Sequence, residues 1–156
     1  MAVVEFGNIS YAFETISFNP QYESEAYLCR DTGRIYYYFS DLDDSGDELP
    51  EDIHDGGKYI QIPHKNELDL GRNLVLSFVE QELPGDIDYA SGIFRKAGAY
   101  SRFKALMERR GMLEKWYEYE ATATEKTLRE WCEFNSIEIK KDSPIHHNRK
   151  DHVKLL

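Results

Sequence analysis

One stretch in the first third of the chain has the residue types and spacing that a hard cation asks for. In Asp41-Leu42-Asp43-Asp44-Ser45-Gly46-Asp47-Glu48-Leu49-Pro50-Glu51-Asp52, oxygen-bearing side chains stand at the first, third and fifth positions, Gly at the sixth and a carboxylate at the twelfth. This is the ligand pattern of an EF-hand-like calcium loop, in which Gly permits the sharp turn. Asp41, Asp43, Ser45, Asp47 and Asp52 would supply the oxygens. The pattern has departures: Glu48 stands where an apolar residue is usual, Pro50 falls inside the loop, and Asp52 is a shorter arm than Glu. The alternative is a solvated acidic linker.

A second cluster could meet phosphates. Residues 91–111 hold the bases Arg95, Lys96, Arg102, Lys104, Arg109 and Arg110 against the single acid Glu108. Cationic side chains give affinity for a phosphate backbone, and the neighbouring Tyr100 and Trp116 have faces on which bases could stack. The alternative is a solvated helix face, with Tyr100 and Trp116 in the core and the basic stretch paired to the acidic half of the chain.

Groups for acid–base or nucleophilic work are sparse. His64 closes a predicted strand near Lys65 and Glu67, as a general base without a specified partner. His54 lies in the acidic region. Cys29 and Cys132 have no CxxC partner and both read as buried, which argues against a thiol nucleophile and against a disulfide framework. His146, His147 and His152 match no usual metal spacing. There is no GxSxG, no P-loop and no GxGxxG after a strand. The sequence therefore leans away from an enzyme, and no cofactor is expected.

A third feature suits a protein partner. In Tyr36-Tyr37-Tyr38 the first and third rings share one strand face and Tyr37 the other. Tyrosine gives contact area at low entropic cost. Residues 1–55 carry 13 acids and 2 bases, within a chain of net charge -10. The protein-binding surface read from this is Tyr36, Tyr38, Asp41, Asp43, Asp44, Asp47 and Glu48, with a basic protein as partner. The alternative is that both faces of the strand are covered.

These groups need elements to position them. Asn8 to Ile16 has apolar residues at helical spacing, with Asn8 as N-cap. Two runs of strand formers, 25–30 and 34–39, flank Asp31-Thr32-Gly33 and predict a hairpin. Residues 41–57 read as an exposed loop, and 58–62 as a third strand stopped by Pro63. Helices follow over 67–82, from Asp86 to Ile93, over 100–110 and over 113–135. In the last, Trp116, Tyr117, Ala121, Thr124, Leu128, Trp131 and Cys132 are expected on the buried side. Residues 136–139 alternate as a last short strand, and the tail from 140 to 156 has no periodicity. Strands followed by helices predict an α+β domain over 1–139, a small antiparallel sheet of a hairpin plus a third strand packed by a C-terminal set of helices.

The order of these features resembles the bacterial uncharacterised protein family UPF0158. The resemblance rests on the hairpin from Tyr27 to Ile35, the acidic loop after it, Lys58-Tyr-Ile-Gln-Ile-Pro63, and Ser77-Phe-Val-Glu80. It continues through Ala97-Gly-Ala-Tyr-Ser-Arg-Phe-Lys104, Leu113-Glu-Lys-Trp-Tyr117 and Leu128-Arg-Glu-Trp-Cys132, roughly residues 5–139 in all. Cys132 stands where Leu usually follows the second Trp. The resemblance implies architecture and brings no reaction, cofactor or catalytic residue.

Composition bounds the rest. The 156 residues are 41% hydrophobic and 31% charged, enough for one core. The mean hydropathy of -0.63 and the lack of a long apolar run speak against a membrane span. The N-terminus has neither the basic start nor the apolar stretch of a secretory signal. A cytoplasmic interaction or regulatory module is the expectation. A nucleic-acid-binding protein or a divalent-cation-binding domain is the alternative.

Overall fold

The computed structural model describes residues 2–18, 23–40 and 46–141. The order is β1 (Val3–Val4), α1 (Phe6–Phe18), β2 (Ser24–Cys29), β3 (Ile35–Phe39), β4 (Tyr59–Gln61), α2 (Arg72–Glu82), α3 (Ile87–Ile93), α4 (Ala99–Arg109), α5 (Leu113–Phe134) and β5 (Glu138–Ile139). This is an α+β fold.

The hairpin forms as its turn chemistry dictates. β2 and β3 pair antiparallel with Tyr27 opposite Tyr36 and Leu28 opposite Ile35, and Gly33 takes φ 79°. β4 then pairs with β2, giving the order β3-β2-β4. Because side chains alternate, Ala26 and Leu28 of the central strand face α1, whereas Tyr27 and Cys29 face away from it. The helix lying on β2 is α1, from the N-terminal side of the chain; α5 packs on α1, α2 and α4. Ile9, Ala12, Phe13 and Ile16 of α1 join Leu28 in the main core. At the centre of its helical part Trp116 is edge-on to Phe78 at 5.4 Å and to Phe103 at 5.0 Å. A small parallel ladder, Val3 with Glu138 and Val4 with Ile139, ties the two ends of the described chain together. The sequence suggests β5 but gives no sign that β1 would be its partner.

The helix expected over 67–82 is two elements. A 3-10 turn covers Lys65–Leu68, and α2 begins only at Arg72. Asp69 is left-handed at φ 59°, and a Cβ on Gly71 would stand 2.9 Å from Asn66 Oδ1. The helical run is broken between Asp69 and Gly71, so Gly71 marks a boundary rather than a weak point inside one helix.

Residues 46–58 return across the outer face of the sheet. Asp47 N–H donates to Tyr37 O at 2.8 Å, and Asp47 Oδ2 accepts from Tyr37 N–H at 2.8 Å. Gly46 allows this approach, since a Cβ there would lie 3.1 Å from Tyr37 O. The segment thus covers part of the β3 edge. Further on, Ile53 and Leu49 close a second, small core over Tyr27, Cys29, Tyr36 and Tyr59.

Candidate functional site

A groove of about 610 Å³ lies between α1 and α5. Phe6, Ser10, Phe13, Glu14, Ser17 and Phe18 line it from α1. Tyr117, Glu120, Ala121, Thr124 and Glu125 line it from α5. Both sets repeat at helical spacing, so each helix turns a second stripe to the groove beside the one it buries. Ser10, Ser17 and Ala121 are short, which leaves space between helices that would otherwise close on one another. Leu70 and Lys65 enter from the 3-10 turn and the residues after it, and Lys104 from α4.

Each end holds charged groups of both signs. At one end the Arg129 guanidinium lies 4.1 Å from the Phe6 ring centroid and pairs with Glu125 at 2.9 Å. At the other end α1 stops, and Lys65 N–H donates to Ser17 Oγ at 3.0 Å. Here Lys65 Nζ lies 4.1 Å from the Tyr100 centroid and Lys104 Nζ 5.8 Å from that of Tyr117. Neither lysine is in an ion pair among the described residues. Burial pushes the Lys65 ammonium below the usual lysine range; Glu120 opposes that shift and Lys104 adds to it. Burial pushes the Glu120 carboxyl up, against the pull of Lys65 and Lys104, with Glu14 adding to the rise. Tyr100 is raised by burial and by Glu120. A half-buried carboxyl and a half-buried amine displaced in opposite directions at one groove are a functional-site signal.

The residues singled out from sequence are distributed elsewhere. Asp41, Asp43, Asp44 and Ser45, and His146, His147 and His152, lie outside the described residues. Asp47 is held by Tyr37 and stands 4.0 Å from Arg34. Asp52 pairs with Lys58 at 3.1 Å, which holds its carboxyl below the usual range. Glu48 is exposed. Among the described residues no group of His, Cys, Asp or Glu is arranged to hold a metal. Tyr38 is 42% exposed on the outer sheet face, while Tyr36 is half-buried under Arg34 and beside Tyr59. The outer face is thus covered at Tyr36 and open at Tyr38.

The basic segment is dispersed. Arg110 is held bidentate by Asp86 at 2.9 and 2.8 Å. That pairing is with the 3-10 turn Pro84–Asp86 before α3, not with the acidic N-terminal half. Arg102 reaches Ile93 O at 3.4 Å, and Lys104 turns to the groove. Arg95, Lys96 and Arg109 are exposed.

The histidine and thiols have structural places. His64 is buried, and its Nδ1 accepts from Asn66 N–H at 3.1 Å, which caps the 3-10 turn. His54 is exposed, edge-on to Tyr27 at 6.0 Å. Cys29 and Cys132 are free and buried, and burial pushes the Cys132 thiol up to about 11.

Glu14, Phe18, Lys65 and Glu120 are the groove residues that sequence reasoning passed over. The available signal was the breadth of the α5 stripe. Trp116, Leu128 and Cys132 are buried, whereas Tyr117 and Ala121, expected beside them, are exposed and line the groove. No helix among the described residues is long and apolar enough to cross a membrane. Comparison of the chain with protein-family models, with curated proteins and with solved structures finds no match.

Proposed function

We propose that the protein is a non-catalytic interaction module that binds a basic protein partner, with the groove between α1 and α5 as the partner's seat. The observation that supports this most directly is Phe18. Its ring is 89% exposed at the rim of a groove floored by Phe13 and Leu70. An aromatic ring in water beside an apolar floor is the arrangement of an interface anchor before its partner arrives. The net charge of -10 favours a basic partner and speeds its encounter. Tyr38, on the sheet face turned away from α1, and the exposed Glu48 form a separate candidate surface.

The test compares the partners captured by the unaltered chain, by Phe18→Ser and by a control, Tyr89→Ser, at another exposed aromatic. A stoichiometric protein lost only with Phe18→Ser is expected. A partner that survives Phe18→Ser but is lost with Tyr38→Ser and Glu48→Gln would move the interface to the sheet. Stoichiometric nucleic acid removed by nuclease would replace this reading with one centred on Arg95, Lys96 and Arg109.

A further inference from the structure

We propose that His64 is a proton-operated catch on the turn that carries Lys65 and Leu70: the neutral imidazole holds the turn closed, and the protonated one releases it. The readout is the turn itself, whatever occupies the groove beside it.

The catch is a single hydrogen bond with a fixed sense. His64 is 5% exposed, and its Nδ1 accepts from Asn66 N–H at 3.1 Å. A backbone N–H can only donate, so Nδ1 carries no proton and the ring's one proton sits on Nε2. The contact is the N-cap of the 3-10 turn Lys65–Leu68. The bonds that follow depend on that turn. Lys65 N–H donates to Ser17 Oγ at 3.0 Å, Glu67 N–H to His64 O at 2.8 Å, and Leu70 N–H to Lys65 O at 3.0 Å. Lys65 and Leu70 are thereby brought to the groove. At its far end the turn closes on Asp69, a residue other than glycine at φ 59°, a conformation that the surrounding contacts must hold.

Release follows from the same chemistry. A second proton goes to Nδ1, and an imidazolium has two donors and no acceptor. Asn66 N–H then faces another donor in a place shielded from water, and the cap is lost. The charged ring has carboxylates to turn to, because His64 shares a narrow gap with Glu25 of β2 and Glu67 of the turn. Glu25 Oε1 already accepts from the Tyr27 hydroxyl. The remaining charged groups near the turn are Asp69 at its end and Lys65 within it, with Glu14, Lys104 and Glu120 in the groove that Lys65 enters. Among these side chains imidazole is the one that ordinarily changes charge between pH 5 and 8. Burial moves the Glu120 carboxyl up toward that range, so the two groups have to be told apart by experiment.

The test follows the full chain by NMR from pH 7.5 to 5.5, reading the imidazole nitrogens of His64 and the protection factors of the Lys65 and Asn66 amides. At pH 7.5 the Nε2–H tautomer is expected. As Nδ1 gains its proton, protection at Asn66 and Lys65 should fall about fivefold, the factor set by a cap of ordinary strength, with the same midpoint. Leu28 in the centre of the sheet should keep its protection. His64→Asn can cap the turn but takes up no proton, so its protection should stay constant across the range. A pH dependence that persists in His64→Asn would assign the effect to Glu120 and overturn the proposal. So would an Nδ1–H tautomer at pH 7.5, a ring that stays neutral down to pH 5.5, or a ring that is protonated while Asn66 keeps its protection. Where His64→Asn does not fold, Glu120→Gln separates the two groups instead. The fall at Asn66 should survive that substitution, and its disappearance would place the switch on Glu120.

Discussion

On one face of the sheet, Ala26 and Leu28 lie under α1, and behind α1 the chain has stacked α2, α4 and α5 around Trp116. On the other face, Tyr27 and Cys29 lie under Ile53 and Leu49, carried by a segment with no helix in it. The inner face is filled mainly by aliphatic and aromatic side chains with no polar end to place. The outer face is tyrosine-rich, and its rings need a polar outlet: the Tyr27 hydroxyl donates to Glu25 Oε1 at 2.5 Å. Burial and Glu25 together push that phenol well above its usual range. A helix presents a continuous apolar stripe and can exclude water over its whole length. A loop can contribute only isolated anchors, so the residues it covers are those that tolerate water at one end. The same sheet is therefore sealed on one side and lidded on the other, and the two sides should respond differently to damage.

The largest response should come from the sealed side. Trp116→Ala removes a buried ring packed on Phe78 and Phe103. It is expected to cost about 3–5 kcal/mol in urea unfolding, with a clear loss of midpoint. A cost under about 1 kcal/mol would mean that the helical layer is not the main store of stability. Ile53→Ala, on the lidded side, should cost about 2 kcal/mol, the low end for such a truncation, because the loop can settle into the space left. It should also raise amide exchange in residues 49–58 without touching α5. Exchange rising equally in both would make the two sides one cooperative unit.

The sealed side was also the more legible in the sequence. Ile9, Ala12, Phe13 and Ile16 repeat at helical spacing, and Asp31-Thr32-Gly33 separates two strand-forming runs, so α1 and the hairpin are readable from local chemistry alone. What local chemistry could not supply was which strand takes β4, or that Val3 and Val4 would meet residues 138–139. Those pairings join segments distant in sequence, and no turn residue records them. The groove was hidden for a related reason. It is made by the second stripes of two helices more than 90 residues apart in the chain, and each stripe alone, Ser10 with Glu14 or Glu120 with Thr124, looks like an ordinary solvated face. The acidic and basic clusters stood out by density, but density does not say where side chains point. Arg110 goes to Asp86, and Lys104 goes to Tyr117.

A smaller effect probes how firmly the lid is latched. Asp47→Ala removes the carboxylate that accepts from Tyr37 N–H at the sheet edge. Water can reach this position, so the loss should be at most about 1 kcal/mol. Its signature is faster exchange of the Tyr37 amide with β2 unaffected. Asp47→Asn, which keeps an acceptor oxygen, should restore most of the protection. If Asp47→Asn behaves like Asp47→Ala, the charge and not the hydrogen bond holds the segment, through Arg34 at 4.0 Å.

The smallest effect is one of sign, and it concerns the place where the sealed side opens into the groove. Burial holds the Glu120 carboxyl above its unfolded value, even though Lys65 and Lys104 pull it down. Between the unfolded and folded pKa values the native state therefore holds this proton more tightly than the unfolded chain does. Stability contributed by Glu120 is present below the unfolded pKa and declines as pH rises through the folded one. Glu120→Gln has no proton to lose. It should match the unaltered chain at low pH and be the more stable of the two above that window. The lysines set the opposing effect, since they lose a neighbouring carboxylate. Because burial already outweighs their attraction, the exchange should favour Gln. Urea midpoints measured at pH 4, 5, 6 and 7 decide it. A Glu120→Gln chain less stable at pH 7 would mean that the carboxylate is held in place by the two lysines, and that the groove is an ion cluster rather than an open seat.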